Sequence, residues 1–358
     1  MNATKEKILR LIRTQGPISV AQYMAIALTD PEGGYYMRRD PLGRDFITAP
    51  EVSQIFGELV GLFFVQAWED RGRPGKFHLV ELGPGRGTLM ADLLRAAKIR
   101  PGFGDAAQIT LIEASPVLRD VQAKTLTGAQ VAWRKDLRDV PADGPLFLIA
   151  NEFFDALPVH QFIRLNGRWR ERMVSVDGDD LTFAATPDPV PDSIIPPHLR
   201  AATEGATFEA SPASQAIARD IARRIRETGG AALVFDYGHA PSGIGDTFQA
   251  VRANRFFDPL AEPGEADFTC HVDFAALASA AREAEGYVFG PEPQGSFLEL
   301  LGIHTRAERL RRAALDNAAE INQVVDRLIN PLQMGMLFKV MAICEDSSPG
   351  VPGFSCSS

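Results

Sequence analysis

The residues best equipped to do chemistry sit in ELGPGRG, positions 81–87, where an apolar run gives way to a helical pattern. Three glycines in that stretch let the backbone turn sharply, approach a ligand closely and aim a helix N-terminus at it. Their spacing separates possible ligands. A dinucleotide-binding turn reads G-x-G-x-x-G, usually after an apolar residue. Here Gly83, Gly85 and Gly87 read G-x-G-x-G, with Thr88 following and Glu81 two positions upstream. A carboxylate there repels a pyrophosphate but attracts an ammonium. S-adenosylmethionine offers an ammonium and a sulfonium and carries no phosphate. Glu113, at the end of the next apolar run, is placed to accept from both ribose hydroxyls; NAD-binding turns use the same position, so it does not discriminate. Together these residues point to a methyltransferase core, against the plainer reading of glycines that merely form a turn.

Asp136, in RKDL (residues 134–137), either hydrogen-bonds an adenine amino group or opens a surface turn. Leu137 beside it and Asn151 further along complete the expected cofactor set in this half of the chain. The segment NEFFDALP (residues 151–158) follows a fourth apolar run and carries Glu152 and Asp155 beside Phe153 and Phe154. In open parallel sheets ligands bind beyond the carboxyl ends of the strands, so this loop faces the cofactor. Paired carboxylates suit a cation, above all a planar guanidinium held by two hydrogen bonds. An arginine substrate stays protonated near neutral pH, so carboxylates must localise its charge while one nitrogen attacks. The competing reading has Glu152 and Asp155 capping a helix start. Residues 259–274 bring Glu262, Glu265, Asp267 and Asp273, which either line a groove for a basic partner or are solvated loop acids. His271 and Asp273 join the catalytic candidates, although Asp273 also stands where an N-cap would. His239 follows a fifth apolar strand. No spacing suggests a metal site, a Walker loop or a nucleophile elbow.

These residues need a frame. Residues 77–82, 108–113, 131–133 and 145–150 read as short buried strands separated by helical segments, the pattern of a parallel sheet covered on both faces. Before them, Val52 to Trp68 follow helical spacing, and Ser19 with Gln22 has capping-box spacing ahead of a short helix. Residues 159–185 alternate, with Asn166-Gly167 and Asp177-Gly178 as hairpin turns, so an antiparallel meander is expected there. Residues 186–200 read as a proline-rich loop, 213–228 as a helix and 231–237 as a fifth strand. Residues 238–270 show few periodic stretches; helices are expected near 272–285 and 305–328, and a closing strand over 334–343. The fold expected is α/β, class I methyltransferase (Rossmann-like): a doubly wound, mostly parallel sheet with an inserted antiparallel and helical second domain and a helical N-terminal extension. The expected parts are a helical N-terminal region and lid (1–75), a core (76–158, 211–240 and 330–345), an inserted substrate-binding domain (159–210 and 241–329) and a flexible tail (346–358).

The chain of 358 residues is 45% hydrophobic and 23% charged, which excludes wholesale disorder. Lys and Arg total 37 against 46 Asp and Glu, a formal charge of -9, which argues against a nucleic-acid surface. Three cysteines far apart in sequence supply neither a disulfide framework nor a CxxC site. With no signal-peptide pattern and no long apolar run, the expectation is a cytoplasmic, bacterial protein without membrane insertion.

ELGPGRGTL, NEFFDALPVHQF, VFDYGH, PGEADFTCHVDF, DPEGGYY and DFITAPEVS together resemble the MidA family, which comprises bacterial proteins and a mitochondrial complex I assembly-factor arginine methyltransferase. The resemblance runs from about Ile18 to Ile343. It implies S-adenosylmethionine as cofactor and, as partner, a protein substrate: an arginine of a complex I (NADH–quinone oxidoreductase) subunit, symmetrically dimethylated in the mitochondrial member. Homodimerisation is left open. It also implies that Gly83, Gly85 and Gly87 hug the cofactor, that Glu113 holds its ribose, and that Gly34-Tyr35 and Thr48-Ala49-Pro50 fold over it as a lid. The chain departs from the family pattern at Asn254, where a His is expected, and at Cys270, where a small residue is. Two alternatives stand beside the arginine methyltransferase: a non-catalytic assembly chaperone that retains the cofactor fold, and a small-molecule methyltransferase. Calorimetry gives the first test. The unchanged protein is expected to bind S-adenosylmethionine but not NADH, and Gly85→Val to abolish that binding by filling the turn.

Overall fold

The computed structural model describes residues 2–38, 48–313, 318–346 and 351–355. The start of DFITAPEVS (residues 45–47), most of the C-terminal tail and Cys356 lie outside the described residues. The chain divides into two compact units, residues 1–46, 154–216 and 239–276 in one, and 47–153, 217–238 and 277–358 in the other.

The second of these units is built on one large sheet. Its strands are β1 (Phe77–Leu82), β2 (Ala107–Ile112), β3 (Val131–Arg134), β4 (Leu146–Asn151), β5 (Gly230–His239), β6 (Tyr287–Pro293) and β7 (Phe338–Cys344). They lie side by side in the order β6-β7-β5-β4-β1-β2-β3. β1 to β5 run parallel, and β7 runs antiparallel between β5 and β6. β1 and β4 are buried at every position, because helices cover both faces and no residue can alternate outward. The strand order reverses at β1 and β4, so their carboxyl ends border a crevice.

The helix Gln54–Asp70 packs on the helix Thr88–Ala97 so closely that glycine is required at the contact. A Cβ at Gly57 would come 2.6 Å from Asp92 Cβ, and one at Gly61 2.8 Å from the Leu93 carbonyl. Helices Gln294–Leu300, Ile303–Ala313 and Ala318–Ile329 add Phe297, Leu298, Ile303 and Leu328 to the same apolar core. These contacts redraw the expected boundaries: residues 47–75 and 277–329 belong with the parallel sheet, whose faces need them as cover.

The other unit holds the expected meander. Strands His160–Leu165 and Arg168–Asp177 turn at Asn166-Gly167, both at positive φ. The strand Arg168–Asp177 then pairs with Asp180–Ala185 in a register that puts Asp177 opposite Asp180. The second turn is therefore Gly178-Asp179, one residue later than the sequence suggested, with glycine at the first central position. Thr207–Ala210 and the two-residue strand Ile18–Ser19 complete this sheet. Ser19 caps the helix Val20–Thr29 by accepting from Gln22 N–H, and the first helix spans Ala3–Gln15.

Three parts read differently from expectation. Residues 238–270 contain a three-stranded sheet, Gln249–Arg252, Arg255–Phe257 and Asp267–Thr269. Its hairpin turns at Ala253-Asn254, both at positive φ, a conformation that asparagine tolerates better than most residues and that accounts for Asn254. β6 went unread, because its sequence, YVFGPEP, ends in glycine and proline. The closing strand begins at Phe338 rather than 334: Met334–Leu337 is a helical turn in which Gly335 lies against the Ile329 carbonyl, 2.0 Å from where a Cβ would sit. Cys270 and Cys344 are buried and free, their thiols pushed up by burial.

Phe147, on β4, is fully buried, edge-on to Phe77 at 5.0 Å and tilted against Phe64. Phe147→Ala is expected to cost about 3–5 kcal/mol of stability, read as a lowered urea midpoint, because such a site cannot collapse around the lost ring.

Candidate active site

The carboxyl ends of β1, β2 and β4 stand together because the parallel register pairs Leu82 with Ile112 on one side and with Ala150 on the other. Glu81, Glu113 and Asn151 thus arrive at one edge. The glycine turn leaves β1 there, with Gly83, Gly85 and Gly87 at φ of 58°, 52° and 80°. Gly83 N–H donates to the Ile112 carbonyl at 3.0 Å, and Gly87 N–H closes the turn on the Pro84 carbonyl at 2.7 Å. A Cβ at Gly83 would lie 2.8 Å from the Phe153 ring, so side-chain bulk here has nowhere to go.

Glu81 is buried, and its pKa is held well above the ordinary carboxylate range, first by burial and then by repulsion from Glu113. It accepts from Met90 N–H in the first turn of the following helix. Its Oε2 has no hydrogen-bond partner among the described residues, and neither has Asn151 Oδ1. Glu113 is also raised by burial, an effect tempered by its hydrogen bonds. Its Oε1 accepts from Ser115 N–H at 2.7 Å and its Oε2 from Gln122 Nε2 at 3.1 Å.

The short helix Ala49–Val52 joins two sides of this edge. Glu51 accepts from Thr88 Oγ1 at 2.6 Å and stands 3.7 Å from Arg86, tying the helix to the glycine turn. Glu152, at a φ of 49°, accepts through Oε1 from Ala49 N–H at 3.1 Å and from Asn151 Nδ2 at 3.2 Å. The sequence offered Glu152 as catalyst or helix cap. It does cap a helix start, though of a segment a hundred residues earlier in the chain. Thr48 is the N-cap residue of that helix without a side-chain hydrogen bond, and Pro50 is buried within its first turn.

The remaining sequence candidates divide. Asp136 spends its carboxylate on its own turn, accepting from Arg138 N–H and from its guanidinium, which pulls it down to about 2. Leu137 begins that turn, half-buried. These bonds favour the surface-turn reading over contact with adenine. Gly34, Tyr35, Asp155, His271 and Asp273 belong to the other unit. Tyr35 is wholly buried in that unit's apolar core, and a Cβ at Gly34 would meet Asp30 N at 2.5 Å. The Asp155 carbonyl accepts from Cys270 N–H at 2.9 Å, and His271 N–H donates to Thr247 Oγ1 at 2.9 Å. Asp273 is an N-cap, accepting from Ala276 N–H at 2.9 Å, with His239 at 4.0 Å. Of the acidic stretch, Asp267 accepts from the Tyr36 hydroxyl and Glu262 and Glu265 pair with Arg252 and Arg38. Glu51 and Gln122 went unread. Gln122 carried a signal, being a polar residue on the inward helical stripe between Leu118 and Leu126.

S-adenosylmethionine fits this edge on one observation: the buried acceptors Glu81 Oε2 and Asn151 Oδ1 lack a donor that its ammonium can supply. The comparisons agree. A family model described as "Putative S-adenosyl-L-methionine-dependent methyltransferase" matches residues 59–291. The mitochondrial protein arginine methyltransferase NDUFAF7 of Homo sapiens is 39% identical over 365 residues, covering 93% of this chain and 81% of that one. The Drosophila melanogaster homologue is 39% identical with nearly the same coverage, 93% and 82%. A Burkholderia thailandensis protein crystallised with S-adenosyl-homocysteine superposes with a TM-score of 0.85 at 27% identity, over 98% of this chain and 94% of that one.

Fold and site thus define a class I methyltransferase dependent on S-adenosylmethionine. The chain belongs to the MidA family. One expectation is corrected: these relatives are named as mitochondrial proteins, so the bacterial cytoplasmic placement does not stand. No helix among the described residues is long and apolar enough to cross a membrane.

The raised pKa of Glu81 has a thermodynamic consequence. Folding favours its protonated form, so its contribution to stability is present at low pH and is lost as pH rises from the ordinary glutamate value toward the folded one. Glu81→Gln is expected to stabilise the ligand-free protein relative to the unchanged one increasingly above about pH 5, read by urea titration across pH. S-adenosyl-homocysteine, whose ammonium favours the ionised carboxylate, should release a proton on binding the unchanged protein but less on binding Glu81→Gln. Calorimetry in two buffers of different ionisation enthalpy measures the difference.

Proposed function

We propose that this methyltransferase modifies an arginine side chain of a protein, with a complex I subunit as the substrate and symmetric dimethylation as the product, during assembly of that complex. The observation that carries the reading is 39% identity over 93% of the chain to relatives named protein arginine methyltransferases. The site is consistent with it. S-adenosylmethionine supplies a methyl group already activated by its sulfonium. The protein therefore needs to bring an acceptor nitrogen in line and take away its proton.

Glu81, Gly83, Gly85, Gly87, Glu113 and Asn151 are the residues we assign to the cofactor. Glu152 is a fixed carboxylate beside them, its direction set by Ala49 and Asn151. A guanidinium needs such a partner, because it is cationic before the transfer and again once the methylated nitrogen has lost a proton. Asp155, His271 and Asp273 are carried as further acid–base candidates on the sequence pattern. A dimer of this chain stays within the proposal.

Intact-mass measurement of the complex I subunits, from cells with and without the gene, tests the reading. One subunit should be heavier by two methyl groups when the gene is present, and unchanged masses throughout would overturn it. Glu152→Ala combined with Asp155→Ala should abolish that increment. If the complex nevertheless assembles, assembly depends on binding rather than on methylation.

A further inference from the structure

Gln122 lies on the helix Pro116–Thr125, on the face that Leu118 turns inward, and is wholly buried. A buried amide must place two N–H donors and a carbonyl. Nε2 donates to the Gly85 carbonyl at 2.7 Å and to Glu113 Oε2 at 3.1 Å, and Oε1 accepts from Trp133 Nε1 at 2.9 Å. These partners admit one orientation. The indole N–H can only donate, and the Gly85 carbonyl and an ionised Glu113 can only accept, so a flipped amide would lose all three bonds.

Three separate parts of the cofactor edge therefore meet at one side chain: the glycine turn, the acid that follows β2, and the middle of β3. Glu113 is held from both sides, by Gln122 on Oε2 and Ser115 N–H on Oε1, with Ala114 N–H as a third donor, and three donors do not exhaust the acceptor capacity of a carboxylate. Donors to both oxygens favour the ionised form that accepts hydrogen bonds, against the burial that opposes it. A residue serving packing alone would be apolar here, like Leu118 and Leu126 along the same stripe.

We propose that Gln122 is the positioning residue for ribose recognition, holding Glu113 and the Gly85 carbonyl in one network locked by Trp133 so that the Glu113 carboxylate meets the two ribose hydroxyls of the adenosyl cofactor. The inference rests on the assignment of Glu113 as the ribose acid. It concerns binding, not the transfer step.

The test compares calorimetric Kd values for S-adenosyl-homocysteine and for its 2′,3′-dideoxyribose counterpart. Gln122→Met should weaken the first by about tenfold and the second by no more than about twofold, because only the hydroxyl contacts depend on the oriented carboxylate. Trp133→Phe keeps a ring and removes the locking donor; it should show the same selectivity at about threefold, and it decides the matter if Gln122→Met does not fold. Glu113→Gln is the reference. Equal losses for both ligands in the Gln122 and Trp133 variants, with Glu113→Gln still selective, overturn the inference and reduce Gln122 to a structural role. If Glu113→Gln is itself unselective, the ribose assignment fails and the inference fails with it.

Discussion

The register of the parallel ladder is the constraint on which this site depends. β1 hydrogen-bonds β2 and β4 so that Leu82 faces Ile112 and Ala150. Glu113 and Asn151 consequently stand level just beyond that pairing, and Glu81, opposite Leu111 and Ile149, lies two positions behind them. A slip of one residue would turn every side chain of a strand to the opposite face, and a strand buried throughout has no solvent face to receive them. The acids owe their place to the apolar residues before them: Leu79, Val80, Leu111 and Ile149 fix the ladder, and the polar ends follow.

Placing carboxyl groups at that edge is costly, and the surroundings show how the cost is distributed. Glu113 is met by three donors and Glu152 Oε1 by two, whereas Glu81 has one backbone donor and keeps an unpartnered oxygen. The groups with several donors hold their surroundings rigid. Glu51 and Glu152 clamp the helix Ala49–Val52 to the glycine turn and to the end of β4. The incompletely met groups, Glu81 and Asn151, are the ones a cationic ligand would complete. Rigidity and ligand demand are thus divided among neighbouring residues of the same chemical type.

Much of this could be read from the linear chain. The glycine spacing with Glu81, the buried strands 77–82 and 145–150, the Asn166-Gly167 turn and the Ser19 cap all depend on neighbours a few residues away. Local rules suffice for them. The three-stranded sheet at 249–269 escaped because its strands are three or four residues long, too short for periodicity to show, and because Ala253-Asn254 is not a common turn pair. Asp136 shows how a local partner adds to such a reading: its position after β3 suggested adenine or a surface turn, and Arg138, two residues on, pairs with both its oxygens.

Residue types and spacing alone pointed to the cofactor class, since an acid ahead of G-x-G-x-G suits an ammonium better than a phosphate. They could not assign Glu152. Whether a carboxylate caps, catalyses or clamps depends on which donor comes within hydrogen-bond reach, and its donor, Ala49 N–H, lies 103 residues away in the chain. The same holds for Gln122, whose three partners come from the glycine turn, the end of β2 and β3. Hydrogen bonds act over about 3 Å. Contacts of that reach between distant segments exist only once the strands have paired, and the folded structure alone decides them.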